Sequence, residues 1–128
     1  MHGMDGSSAD FMLNWPDKSP AFILANQGYD VWLGNNRGNT YSNRHSTLKS
    51  LDNLEDYWNF DAEKMGMQDV PSMIDFILET TNKKVLDAYI GYDQGNTQFW
   101  MAASQMSQYY KDRVNLFVSL APVLQNHR

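Results

Sequence analysis

The stretch GYDQG at residues 91–95 carries the chemistry of this chain. Gly91 and Gly95 bracket Asp93 at the spacing of a nucleophile elbow, a sharp strand-to-helix turn that presents one reactive side chain. Flanking glycines let the two arms of such a turn approach, and the backbone N–H after the central residue helps to bind a developing oxyanion. A second amide must come from an upstream loop, typically one following His-Gly. His2-Gly3-Met4 fits that description, so Met4 and Gln94 are the expected donors, with His2, Gly3, Gly91, Tyr92 and Gly95 supporting them. A carboxylate at the centre is unusual. If Asp93 attacks an acyl carbon, the adduct must expel an alkoxide, a far poorer leaving group than the carboxylate, and it collapses backwards. Attack on an alkyl carbon is feasible, but the alkyl-ester intermediate then needs a His-activated water. His2 precedes the donor loop, His45 sits in a polar loop and His127 lies near the chain end, so none is placed for that role. The simpler reading makes Asp93 a fixed anion. At a helix N-terminus a carboxylate gains about 0.3–1 kcal/mol from the dipole, accepts backbone N–H bonds and occupies the anion site itself.

The elements that position this corner follow from apolar patterning. Residues 29–33 (YDVWL), 86–91 (LDAYIG) and 114–122 (VNLFVSLAP) read as strands, rich in aromatic or β-branched side chains and bounded by glycine, proline or charge. Helical patterns lie at 18–26, ending before Gly28 as a natural C-terminal stop, and at 61–81, where Met65, Val70, Met73, Ile74, Ile77 and Leu78 form a stripe that Pro71 interrupts. A third helix is expected at 94–109, with Phe99, Trp100, Ala102, Ala103 and Met106 inward. This alternation predicts an α/β fold, a parallel sheet with helices on both faces. Residues 34–54 fit neither period. There Asn35, Asn36, Arg37 and Asn39 are expected to brace an ordered loop.

Composition narrows the function classes. At 128 residues the chain is enough for one domain. Its net charge of −5 argues against nucleic acid or an anionic membrane as partner. No apolar run reaches the ~18 residues of a membrane span, and MHGMDGSS does not read as a signal peptide. There is no cysteine and hence no disulfide or thiolate metal site. Neither a metal nor a cofactor is expected.

The stretches HGMDGSSADF (2–11), AFILANQGYDVWLGNNRGNTYSNRH (21–45), YWNFDAEKMGMQDVPSMIDFIL (57–78), YIGYDQGNTQ (89–98) and LFVSLAPV (116–123) together resemble the acid lipase family of α/β-hydrolases, the lysosomal and gastric type. GYDVWLGNNRGNTYS is the most characteristic of them. The resemblance implies that residues 1–128 are the N-terminal part of an α/β-hydrolase domain, a partial α/β-hydrolase fold. The cap, the catalytic acid and the histidine would lie beyond Arg128. The family's elbow resembles Gly-His-Ser-Gln-Gly, so Tyr92 and Asp93 stand here for its His and Ser. The expected function is therefore a catalytically inactive, lipase-like unit acting as a structural or accessory subunit of a larger assembly. The alternative is part of an active carboxylic ester hydrolase whose remaining triad residues lie outside this chain. Expected partners are other protein chains or the remainder of the hydrolase domain, with a lipid or fatty acyl ligand as a further one. The family suggests a secretory or lysosomal site, while the lack of cysteines and glycosylation sequons leaves an intracellular organelle open.

Overall fold

The computed structural model describes residues 1–48, 52 and 54–123. Two strands, β1 (Tyr89–Tyr92) and β2 (Phe117–Leu120), pair in parallel, Tyr89 against Phe117 and Tyr92 against Leu120, with an isolated parallel bridge from Leu86 to Val114. The helices are α1 (Pro20–Asn26), α2 (Leu54–Tyr57), α3 (Ala62–Lys64), α4 (Val70–Thr81), α5 (Gln94–Gln105) and α6 (Ser107–Arg113). A 3₁₀ turn covers Ser8–Phe11 and a π turn Met65–Asp69. The parallel pair is joined by a helical crossover, as the alternating pattern requires.

Local chemistry accounts for most boundaries. Pro20 opens α1, where its missing N–H costs nothing. Gly28, at φ 91°, closes it, the Gly28 and Tyr29 N–H groups returning to the Ala25 and Leu24 carbonyls. Asn82 ends α4 in the left-handed region at φ 53°. Ahead of α4, Pro71 lacks a donor and its ring crowds the carbonyl four residues back. The chain widens there, and the Val70 N–H reaches the Met65 carbonyl five residues back. The expected 61–81 helix is thus split into α3, the π turn and α4.

Two other expectations are corrected. The helix foreseen at 94–109 breaks at Met106, whose φ of −118° and ψ of 42° end α5 and start α6. The break lets successive tyrosines make different contacts. Tyr110 donates to the Gly66 carbonyl (3.2 Å) and Tyr109 to Asp75 (2.7 Å). The segment 29–33 forms no strand. A strand exists only by pairing, and between this segment and β1 lies an apolar cavity rather than a neighbour.

The core gathers Val70, Ile74 and Leu78 of α4, Tyr89 of β1, Phe99 and Ala102 of α5 and Tyr110 of α6. Phe99 stacks on Phe117 at 4.1 Å between centroids and meets Tyr110 edge-on at 4.8 Å. This aromatic contact fastens α5 and α6 to one face of the strand pair. Each face of the pair is set by alternation, so Ile90 and Val118 point away from that cluster and line the cavity with Ala21 and Leu24 of α1.

Candidate functional site

Asp93 sits between the end of β1 and the start of α5, at φ 49° and ψ −113°. Few non-glycine residues adopt such a backbone, and the surrounding bonds must hold it. The Asp93 N–H donates to the Leu120 carbonyl (3.1 Å), and the Asp93 carbonyl accepts from the Asn96 N–H (3.0 Å). Asn96 is fully buried, and its side-chain amide donates to the same Leu120 carbonyl at 2.7 Å. The corner is thus bolted to the end of β2.

The glycines are there for space. A Cβ on Gly91 would stand 2.6 Å from the Asn96 side-chain oxygen, and one on Gly95 would stand 2.5 Å from the Met1 carbonyl. Both values are below any real contact, so strand, helix and N-terminal segment meet only because these positions lack side chains. Gly3 does the same for the donor loop, a Cβ there lying 2.8 Å from Asp93 Oδ2.

The structure brings the loop 2–4 and the corner together. The Met4 N–H donates to Asp93 Oδ2 at 3.0 Å. His2 is buried and pinned, its Nε2 accepting from the Asn36 N–H at 3.1 Å. That assigns the ring proton to Nδ1, which donates to the Gly3 carbonyl at 2.7 Å. Gln94 is the first residue of α5, but the Asp93 carboxylate makes no capping bond to the amides of that helix. The expectation that Asp93 would cap α5 is corrected on this point. With its backbone at positive φ, the carboxylate meets the Met4 amide instead. Tyr92 stands exposed beside it.

Asn35 and Arg37 secure the polar loop. Asn35 Oδ1 accepts from the Ser8 N–H (2.9 Å) and from Asn39 Nδ2 (2.8 Å). The Arg37 guanidinium forks onto Asp69 in the π turn and reaches Gln68 Oε1 at 2.9 Å. Those Asp69 bonds raise the Arg37 pKa above its ordinary value. Asn36 is buried with neither side-chain polar atom bonded. His45 turns its Nδ1 to the Thr47 and Leu48 amides at 3.2 and 3.0 Å. Among the described residues neither His2 nor His45 hydrogen-bonds Asp93, and His127 lies outside them. Among the described residues no group of three or more potential metal ligands occurs.

Two participants escaped the sequence reading. Asn96 carried a signal, a polar residue three positions before Phe99 on the buried side of α5. Met1 carried none, because its role depends on atoms 89 residues away, where its nitrogen meets the Ile90 carbonyl.

A sequence profile of the α/β-hydrolase fold matches residues 2–128. The chain belongs to the α/β-hydrolase family. Its acid-lipase-like character rests on full-span matches to curated proteins. It is 45% identical over 122 residues to a probable lipase of Schizosaccharomyces pombe, covering 94% of this chain and 27% of that protein. It is 39% identical to the lysosomal acid lipase/cholesteryl ester hydrolase of Macaca fascicularis (96% of this chain, 30% of the relative). Against the gastric triacylglycerol lipase of Bos taurus the identity is 42%, over 95% of this chain and 30% of the relative. This hydrolase chain therefore spans less than a third of the length of these relatives. Its parallel pair and crossover helices are a partial α/β-hydrolase fold.

Proposed function

We propose that this acid-lipase-like chain is catalytically silent and serves as a structural or accessory unit within a larger assembly. The bond from the Met4 amide to Asp93 Oδ2 carries this reading. A donor suited to a substrate oxyanion is turned on a resident carboxylate, so the place where an acyl oxygen would gather charge is already anionic. The same carboxylate is a poor nucleophile toward esters, since its adduct expels the carboxylate more readily than an alkoxide. His2 and His45 are both engaged elsewhere. Residues Gly3, Met4, Gly91, Gln94 and Gly95 then preserve the corner as architecture, with Tyr92 on its rim. Partners on this reading are protein chains that cover its apolar surfaces, and a fatty acyl ligand is a further one.

The second reading is part of an active carboxylic ester hydrolase, with the remaining catalytic groups outside this chain. The backbone at Asp93 favours it, since a positive-φ corner is costly to keep for architecture alone. One comparison separates the two. The native polypeptide and its Asp93→Ala variant are assayed side by side on a short-chain p-nitrophenyl ester. Turnover at the buffer rate in both supports the silent unit. Turnover that disappears with Asp93→Ala overturns it.

A further inference from the structure

A second cavity lies beside the polar loop. It is an open groove of about 410 Å³ between that loop and the first turn of α4. Arg37, Tyr41, Arg44, Asp69 and Ser72 give it a polar lining, with Met73 as an apolar neighbour.

The acceptors of this groove are engaged and its donors are not. Asp69 already accepts from the Arg37 N–H (3.2 Å), from Arg37 Nε on both oxygens (2.8 and 3.0 Å) and from Arg37 Nη2. Arg37 Nη1 makes no hydrogen bond among the described residues, although the fork to Asp69 fixes the plane it lies in. Arg44 is exposed and makes neither a hydrogen bond nor an ion pair among them. A guanidinium keeps its charge at any ordinary pH. Two of them against one carboxylate leave the lining one positive charge in excess, in a chain whose net charge is −5.

We propose that this groove is a binding site for a phosphate group. Donor number favours phosphate over a carboxylate. The fork of Arg44 can hold both oxygens of a carboxylate by itself. Arg37 Nη1 and the Tyr41 hydroxyl would then have nothing to bind, whereas a tetrahedral phosphate offers further oxygens to both. Ser72 donates its proton to the Gln68 carbonyl at 2.6 Å, so its oxygen is left as an acceptor for the P–OH of a singly protonated phosphate. Asp69 does not oppose the ligand strongly, because its charge is paired with Arg37. The same bonds hold Arg37 in place before any ligand arrives, which lowers the ordering cost of binding. The phosphate can belong to a free small molecule or to the headgroup of a phospholipid.

The groove does not involve Asp93, so its test is separate from ester turnover. The arginine Nε–H signals of the full chain are followed by NMR as sodium phosphate replaces sodium chloride at constant ionic strength. The Arg37 and Arg44 signals should shift together and saturate. Arg44→Gln should weaken binding by roughly 10-fold or more, the loss of one charge-assisted fork. Arg44 bonds to no described residue, so the variant should melt at the same temperature. Should association of the chain broaden the signals, the rise of the urea midpoint with phosphate reads the same equilibrium. Glycerol phosphate and phosphatidic acid vesicles are the other two arms. Saturation by inorganic or glycerol phosphate supports the site and assigns it to a free ligand. A response to the vesicles alone, lost in Arg44→Gln, supports it and assigns it to a lipid headgroup. No response in any arm overturns the proposal. So does a phosphate response that Arg44→Gln leaves unchanged, or one that sodium acetate reproduces in full.

Discussion

Asp93 is held at φ 49°, a backbone costing on the order of 1–3 kcal/mol for a side chain of this kind. Bonds to Leu120, Asn96 and Met4 hold it there, so the strain belongs to the assembled corner and not to the residue. In a polypeptide that starts at Met1, free energy is stored in a different way, as a buried amine. Its pKa falls from 8.0 to about 5 because the charged form loses its hydration. A folded state that resists protonation is destabilised wherever the unfolded chain takes up the proton. Stability should be fully present above pH 8 and lost as the pH falls toward 5. The drop amounts to roughly 4 kcal/mol at 1.36 kcal/mol per pKa unit. Urea midpoints of the free-amine and Nα-acetylated chains, compared across that range, check this. The free amine alone should show the slope.

Among the elements, the polar loop and the π turn act as one piece through Arg37. The guanidinium makes a forked contact to Asp69 while its neighbour Asn36 donates to His2, so the clamp on the π turn also steadies the donor loop 2–4. Lysine has no fork. Arg37→Lys should therefore cost roughly 1 kcal/mol, a value kept small by the partial exposure of the side chain. It should also raise amide exchange at Arg37 and Asn36 more than at Ile74 in the core. Equal changes at all three sites would mean that the loop and the π turn are not coupled in this way. At this scale the sequence was legible where the signal is local. Gly28, at φ 91°, was marked as the stop of α1 and ends it. Met106 was read as core and also carries the break between α5 and α6, which no periodicity announces.

As a whole molecule, the described chain has a two-stranded sheet and much apolar surface in solvent. Leu13, Trp15 and Phe76 are each 60% exposed or more, and Trp32 meets Phe76 edge-on at the surface. Two strands alone are marginal without packing on further structure, and apolar surface of this kind favours association. Light scattering of the purified chain should show a mass that rises with concentration, and a constant monomer mass over a hundredfold range would contradict it. The same surfaces are where a larger hydrolase, or a partner, would add its own layers.

The parallel α/β arrangement and the turn at Asp93 could be read from neighbouring residues, because glycine spacing and apolar period describe the backbone within a few positions, whereas the family came from the resemblance of whole stretches. The characteristic run at 28–42 carried the family resemblance, yet the strand expected within it at 29–33 does not form, since a strand depends on a partner that no local pattern supplies. Tertiary structure alone decided which amide meets the Asp93 carboxylate, why Met1 is buried and where the cavity lies. Each depends on atoms brought together across long stretches of chain, as with Met4 and Asp93, 89 residues apart. Contacts at that separation are set by how elements pack, and one linear sequence leaves several packings open until the fold selects one.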